Sequence, residues 1–318
     1  MIDVVALGEM IVDFACQSTD EQGYPTMAAH PGGAPANFLA ALAKRGAKVA
    51  MLGKVGNDTF GKLLKGTLDQ AGVETRGVIM ANDVFTTLAF VTFDEHGDRE
   101  FAFGRKPGAD TCINFEELDL SLIDETKVFH FGSLSLTDEP ARGATYQAIA
   151  YAKEKGKLIT YDPNLRKPLW NDLEEAKRQL IWGLGQADVV KISDEEVEFL
   201  FDIGPEEGAK YILENFPVKL VFVTCGPDGA VFKNAVAEGR VPGIKGLNIV
   251  DTTGAGDIFG GSAVWQLLEK GKAPETLTEE ELTEITRFAC TCASLSATRF
   301  GGISSVPDLD EVMAKLAE

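Results

Sequence analysis

The 318-residue chain is poor in the residues that most often hold metals or disulfides. It has three histidines, His30, His96 and His130, each isolated, and nothing resembling H-E-x-x-H. Its five cysteines, Cys16, Cys112, Cys225, Cys290 and Cys292, are odd in number and include no C-x-x-C pair. They read as reduced thiols of a cytoplasmic protein, not as a disulfide framework or a zinc site. No apolar run approaches the length of a membrane span. The apolar start MIDVVALGEMIVDF carries Asp3, Glu9 and Asp13 and lacks a basic leader, so a first core strand is expected there and not a signal peptide. Basic residues are the scarcer charge, 30 against 49 acidic ones, leaving a formal net charge of −19. That weighs against nucleic acid and anionic membrane as partners, and it obliges any anionic ligand to find a locally positive site. The common phosphate fingerprints are missing as well. There is no G-x-x-x-x-G-K-[ST]; Gly254-x-Gly256 is not completed as G-x-G-x-x-G because position 259 is Phe; and neither H-R-D nor D-F-G is present.

What is present is a soluble-type composition, 45% hydrophobic and 25% charged. Short apolar runs alternate with amphipathic stretches. Strands are expected at 4–7, 49–52, 128–131, 158–161, 189–192 and 220–224. Helices are expected at 35–45, 59–70, 141–155, 173–184, 195–201, 255–269 and 279–298. Such alternation predicts an α/β fold, a mostly parallel central sheet with helices on both faces. Two regions depart from it. Residues 87–94 and 99–103 flank Glu95-His96-Gly97-Asp98, a hairpin signal, and 12–17 and 26–30 flank Glu21-Gln22-Gly23. They predict a small antiparallel β lid made of 12–31 and 85–106 beside a main α/β body of 1–11, 32–84 and 107–318. Leu88, Ala89, Phe90, Val91 and Phe93 are apolar on both strand faces, so both faces should be covered. An exposed face of that kind invites a second copy, and a homodimer through the lid is expected.

Two segments carry chemistry. Asp251-Thr252-Thr253-Gly254-Ala255-Gly256-Asp257 follows an expected strand at 247–250 and opens an apolar helix. Small residues at such a turn leave backbone N–H groups free to bind phosphate oxygens at the helix N-terminus. Asp257, in the first helical turn, can take the proton of a hydroxyl that attacks a γ-phosphate. The second segment is Pro31-Gly32-Gly33-Ala34-Pro35-Ala36-Asn37, where glycines permit close approach of a ligand and Asn37 offers an amide to hydroxyls.

Together these segments resemble the ribokinase-like (PfkB) carbohydrate kinases. GGAPANFLAALAKRGAKVAMLGKVGNDTFG (32–61) and DTTGAGDIFGG (251–261) match the family's two signature regions, and the likeness runs over essentially the whole chain. DREFAFGRKPGAD, FHFGSLSLTDEP, YDPNLRKPLW, VVKISDEE and VTCGPDGA are most similar to the fructokinase branch. The resemblance implies transfer of a phosphoryl group from ATP, with Mg2+, to the 6-hydroxyl of fructose. It implies Asp257 as base and Gly254, Ala255 and Gly256 as the anion hole. Asp13, Gly32, Gly33 and Asn37 would hold sugar hydroxyls, and Arg105 would reach the sugar from the lid. Arg166 and Lys191 would serve the phosphates. Thr224, Gly226 and Gly229 would form the nucleotide loop, and the adenine pocket would lie between residues 241–247 and the helix near Cys292. Glu196 would organise magnesium through water. Ser193 stands where the family's N-x-x-E motif has asparagine, which leaves its role between ATP binding and a helix N-cap. Asp251, Thr253 and Ser305 would hold a monovalent cation, K+. Ribose, 2-keto-3-deoxygluconate and tagatose 6-phosphate stay open as acceptors. A non-catalytic sugar or nucleotide sensor on the same scaffold is disfavoured by the presence of Asp257.

Overall fold

The structure is a computed structural model and describes residues 1–93 and 99–318. Its strands are β1 Ile2–Leu7, β2 Ile11–Thr19, β3 Pro25–Gly32, β4 Val49–Gly56, β5 Val73–Glu74, β6 Val78–Ala81, β7 Leu88–Phe93, β8 Arg99–Gly104, β9 Thr126–Gly132, β10 Leu158–Asp162, β11 Val189–Ser193, β12 Leu220–Thr224, β13 Ala230–Asn234 and β14 Glu238–Val241. The helices are α1 Ala34–Ala43, α2 Thr59–Gln70, α3 Leu120–Glu125, α4 Ala141–Glu154, α5 Leu173–Leu184, α6 Asp194–Phe201, α7 Pro205–Asn215, α8 Ala255–Lys270, α9 Glu279–Ser296 and α10 Leu309–Leu316.

Strands buried on both faces read as nearly continuous apolar runs, and β4 is buried at every position. The large sheet has the order β14-β13-β12-β11-β10-β9-β1-β4-β5, with β6 also on β4. It is parallel except at the β12-β13-β14 edge. One face packs on α3 to α7 through Leu122, Ala148, Leu180, Val197 and Ile212. The other packs on α1, α8, α9 and α10 through Phe38, Ile258, Phe288 and Val312. Helix starts follow local chemistry. The Asp58 side chain accepts from the amides of Phe60 and Gly61 to begin α2, and Thr278 with Glu281 forms a capping box on α9.

The second sheet has four strands in the order β3-β2-β7-β8. Its outer pairs are antiparallel and its inner pair, β2 with β7, is parallel. The turn at residues 95–98, expected to close a hairpin, lies outside the described residues. On one face Phe14 stacks on Phe90 (ring centroids 5.3 Å apart) and meets Phe60 of α2 edge-on (5.4 Å). The other face carries His30, Asp13, Ala89 and Phe103, one from each strand, in a single cross-strand row.

The expected strand at 247–250 does not form. Ile249 is exposed, and the amides of Val250 and Asp251 both donate to the Ala297 carbonyl after α9 in place of a strand partner. Sequence periodicity also missed the short strands β5, β6, β13 and β14 and the helices α3, α7 and α10.

Candidate active site

The turn before α8 is built for an anion. Gly254 has φ 76° and no side chain caps the helix. Among the described residues, neither the Gly256 nor the Asp257 amide meets a protein acceptor. A Cβ on Gly256 would lie 2.8 Å from Lys191 Nζ, and one on Gly254 would lie 3.0 Å from Gly302 Cα, so only glycine leaves this cradle open.

Asp257 projects from the first turn and is buried. Its Oδ2 accepts from Asn37 Nδ2 at 2.8 Å. Burial raises its pKa above the usual carboxylate value, opposed by that hydrogen bond and by the charges of Lys191 and Arg166. Asn37 sits in the first turn of α1, and its Oδ1 is buried without a partner. Gly33, at φ 111°, lets the chain pass so close to Glu9 that any Cβ would overlap the Glu9 carbonyl. Asp13 comes from β2, and a Cβ on Gly32 would touch its Oδ2 at 3.0 Å. Burial pushes Asp13 up to about 6, with Arg166 opposing and Asp251 and Asp257 adding to the rise. Asp13, Gly32, Asn37 and Asp257, read from distant stretches, thus converge.

Two cations accompany these carboxylates. Lys191 at the end of β11 pairs with Asp162 at the end of β10, Nζ to Oδ2 3.1 Å. Burial alone would lower the lysine's pKa, but Asp162, Glu196 and Asp257 outweigh it and raise it. Arg166 is exposed, donates to its neighbour's Leu165 carbonyl at 3.3 Å and pairs with no carboxylate among the described residues. It borders a cleft of about 320 Å³ whose lining includes Phe103, Ser193 and Glu196. Ser193 and Thr224 are register partners on β11 and β12, so the Thr224–Gly229 loop opens beside the same edge. Gly226 (φ 51°) and Gly229 (φ 89°) make its turn.

Ser193 acts as the N-cap of α6. Its Oγ accepts from the Glu196 amide at 3.2 Å, and Glu196 Oε2 accepts from the Ser193 amide at 2.8 Å. The other Glu196 oxygen accepts from the Leu165 amide at 2.6 Å, which fastens the loop carrying Arg166. Each carboxylate oxygen keeps a second lone pair, which fits Glu196 to accept from the water shell of a magnesium ion. Asp251 organises two loops at once: Oδ1 takes the amide (3.0 Å) and hydroxyl (2.7 Å) of Thr253, and Oδ2 takes the Gly301 amide (3.0 Å). Ser305 is buried nearby in sequence, on the Gly302 carbonyl at 2.8 Å.

Two of the expected site residues are buried and engaged with neighbouring side chains. Arg105 does not reach outward from the small sheet. Its buried guanidinium is committed to Asp110 (Nε to Oδ2 2.8 Å), Thr137 Oγ1 (2.8 Å) and the Leu134 carbonyl (2.8 Å), because a buried guanidinium must spend its fork on fixed acceptors. Cys292, expected near the adenine pocket, faces inward from α9. It is fully buried against α1, with its sulfur 3.4 Å from Arg45 Nη2, because α9 turns that position into the core around Phe38 and Phe288.

Sequence reasoning missed Asp162, Glu9 and Gly302. Asp162 and Lys191 end adjacent parallel strands, the edge where α/β sheets place ligands, and that position was the available signal. Glu9 is buried and its Oε1 accepts from the Ala34 amide at 2.9 Å, capping α1 where Gly33 cannot. Burial pushes Glu9 up to about 7. A Cβ on Gly302 would overlap the Asn37 amide, a constraint with no local sequence sign.

Free amides at a helix start, with a buried carboxylate and the Lys191 ammonium beside them and Arg166 on the bordering cleft, define a phosphotransferase site with a hydroxyl acceptor. The chain belongs to the pfkB family of carbohydrate kinases, whose model matches residues 1–309. Fructokinase-2 of Solanum lycopersicum is 40% identical over 320 residues, covering 98% of this chain and 95% of that protein. Fructokinase-1 of Zea mays is 40% identical, with 98% and 96% covered. Fructokinase with bound ATP from Xylella fastidiosa superposes with a TM-score of 0.91 at 29% identity, covering 100% of this chain and 99% of that one. Fructokinase from Vibrio cholerae O395 in its fructose, ADP and calcium ion bound form gives 0.87 at 32% identity, with 99% of both chains covered.

Proposed function

We propose that this kinase transfers the γ-phosphoryl group of ATP to the 6-hydroxyl of D-fructose, giving ADP and fructose 6-phosphate. The observation that carries the reading is the Asn37–Asp257 hydrogen bond set beside the free amides of Gly256 and Asp257. It supports a mechanism in which Asn37 aims the Asp257 carboxylate, and the carboxylate takes the proton of the attacking hydroxyl. The helix start, Lys191 and Arg166 receive negative charge as it moves onto the transferring group. Asp13 and Asn37 hold sugar hydroxyls. Glu196 would hold a magnesium ion bound with ATP through water, and that ion would supply further charge neutralisation on the phosphates. Asp251, Thr253 and Ser305 form the region for a K+ ion, whose effect would be to steady the loops around the anion hole. The small sheet, 12–31 and 85–106, works as a lid that keeps water from the γ-phosphate. Relatives named fructokinases along the whole chain support the choice of sugar. Assayed across a sugar panel, kcat/KM should be best for fructose and at least about tenfold lower for ribose and 2-keto-3-deoxygluconate. A preference for the sugar acid would overturn the substrate and leave the kinase class standing.

The lid is also the proposed dimer contact, on the strength of the apolar strand β7. Light scattering at micromolar concentration should give twice the mass of one chain; a monomer would remove this proposal. Among the described residues no helix is long and apolar enough to cross a membrane.

A further inference from the structure

On the face of the small sheet that carries Asp13, one cross-strand row runs His30, Asp13, Ala89, Phe103. Three of these are accounted for: Asp13 as a hydroxyl ligand, Ala89 as a small buried spacer, Phe103 as a wall of the cleft beside Arg166. His30 is not. It lies two residues before Gly32, so the period of the strand puts it on the same face as Gly32, and it is the direct antiparallel partner of Asp13. Side chains so paired have Cβ atoms about 4.5–5.5 Å apart.

The far side of the imidazole rests on the loop that follows α9. A Cβ on Gly301 would lie 3.5 Å from Nδ1, and Gly301 has φ 86°, so glycine lets the loop turn against the ring. The same loop is tied to Asp251 through the Gly301 amide, and its next residue, Gly302, backs Asn37 and Gly254. His30 therefore sits between the Asp13 carboxylate and the loop behind the anion hole. Its Nε2 is buried and has no hydrogen-bond partner. A buried polar atom left unpaired costs about 1–3 kcal/mol, and native proteins rarely carry one that has no partner in any state. The neighbouring Asn37 Oδ1 is orphaned in the same way, so two unpaired polar atoms border the place where hydroxyls are expected.

We propose that His30 is a sugar-contact and specificity residue, whose Nε2 pairs with a hydroxyl of the bound neutral sugar beside the hydroxyls held by Asp13. This rests on the sugar kinase reading above. A hydroxyl is the ligand chemistry that suits the position, because it both donates and accepts and so meets either imidazole tautomer. The adjoining carboxylate of Asp13 disfavours an anionic group at the same spot.

The test compares His30→Leu, which fills the volume without a polar atom, with His30→Gln, which keeps one. Wild-type activity on fructose is measured first. If fructose fails, the panel identifies the sugar that is used and the variants are assayed with that one, so loss of the fructose assignment is separate from the claim on His30. The Leu variant should raise the sugar KM about tenfold, equivalent to about 1.4 kcal/mol, with the KM for ATP within about twofold. The Gln variant should recover part of that loss. Among singly deoxygenated forms of the sugar, one should be penalised by the wild type and not by the Leu variant. An unchanged sugar KM would overturn the proposal. So would equal rises in both KM values together with a lowered melting temperature in both variants, which is the signature of a strut that only supports the Gly301 loop.

Discussion

Replacing Asp257 with asparagine is expected to cut kcat by about 10²–10⁴-fold, with ATP and sugar binding nearly retained. Asparagine matches aspartate in shape, so Gly254 and the start of α8 are undisturbed, and the new amide can still meet Asn37 if Asn37 turns its orphaned Oδ1 toward it. What is lost is the basic lone pair for the hydroxyl proton. At about 1.4 kcal/mol per decade, the loss is roughly 3–5.5 kcal/mol of barrier. Phosphoryl transfer has a loose transition state with little bonding to the nucleophile, which favours the lower end of the range. The pH profile supplies a second reading. Burial raises the pKa of Asp257, so wild-type kcat should fall as pH drops through that raised value and the carboxylate is protonated. The asparagine variant should lack that limb. Stopped or coupled assays from acid to neutral pH check both. A variant that keeps more than about a tenth of wild-type kcat would show that Asp257 is not the base, leaving the turn as a phosphate cradle alone.

The sequence was most legible where local chemistry and tertiary role coincide. Helices α2 and α5 and strand β12 appear with the expected bounds because Asp58, Asp172 and an apolar run mark them directly. The glycine turn that opens α8 was legible because small residues before an apolar run mark a helix entry, and Gly254 takes the positive φ of 76° that suits glycine there. Failures came where burial decides. Arg105 looked like a mobile cation at a strand end, and only the fold brings Asp110, Thr137 and the Leu134 carbonyl around it. Cys292 lies on the expected helix and faces its core side, which the sequence alone does not mark. The strand at 247–250 has the right residues, but the amides of Val250 and Asp251 go to the Ala297 carbonyl in place of a strand partner, and an unpaired strand does not form. Asp162 and Glu9 were invisible as a class. A buried carboxylate has no sequence mark, and its partners come from elements far away in the chain.

Replacing Lys191 with methionine should both destabilise the protein and depress activity, and the destabilisation should grow with pH. Lys191 is buried among Asp162, Glu196 and Asp257, and its ammonium is the counter-charge that lets Asp162 stay buried. Removing one partner of such a pair costs about 3–5 kcal/mol when the other stays charged. Asp162 has an escape, since it can take up a proton. Burial already raises its pKa, with Lys191 as the main opposing influence, so the variant should raise it further. A carboxyl whose folded-state pKa lies above its unfolded value binds more protons when folded. Stability is then full at low pH and falls as pH rises from the unfolded value, about 4, through the raised folded one. The melting temperature of the variant should therefore approach that of the wild type near pH 5 and fall roughly 5–10 °C below it at pH 8. Activity should drop about 10²-fold or more at any pH, because the anion hole loses the cation behind Gly256 and a positioned counter-charge of this kind typically contributes about 10²–10³. Lys191→Arg should not fully rescue it: the longer, planar guanidinium does not reproduce the compact ammonium that lies against Gly256 and Asp162. If the gap in melting temperature is the same at both pH values, Asp162 does not take up the proton, and the pair is not the electrostatic unit that burial and distance describe.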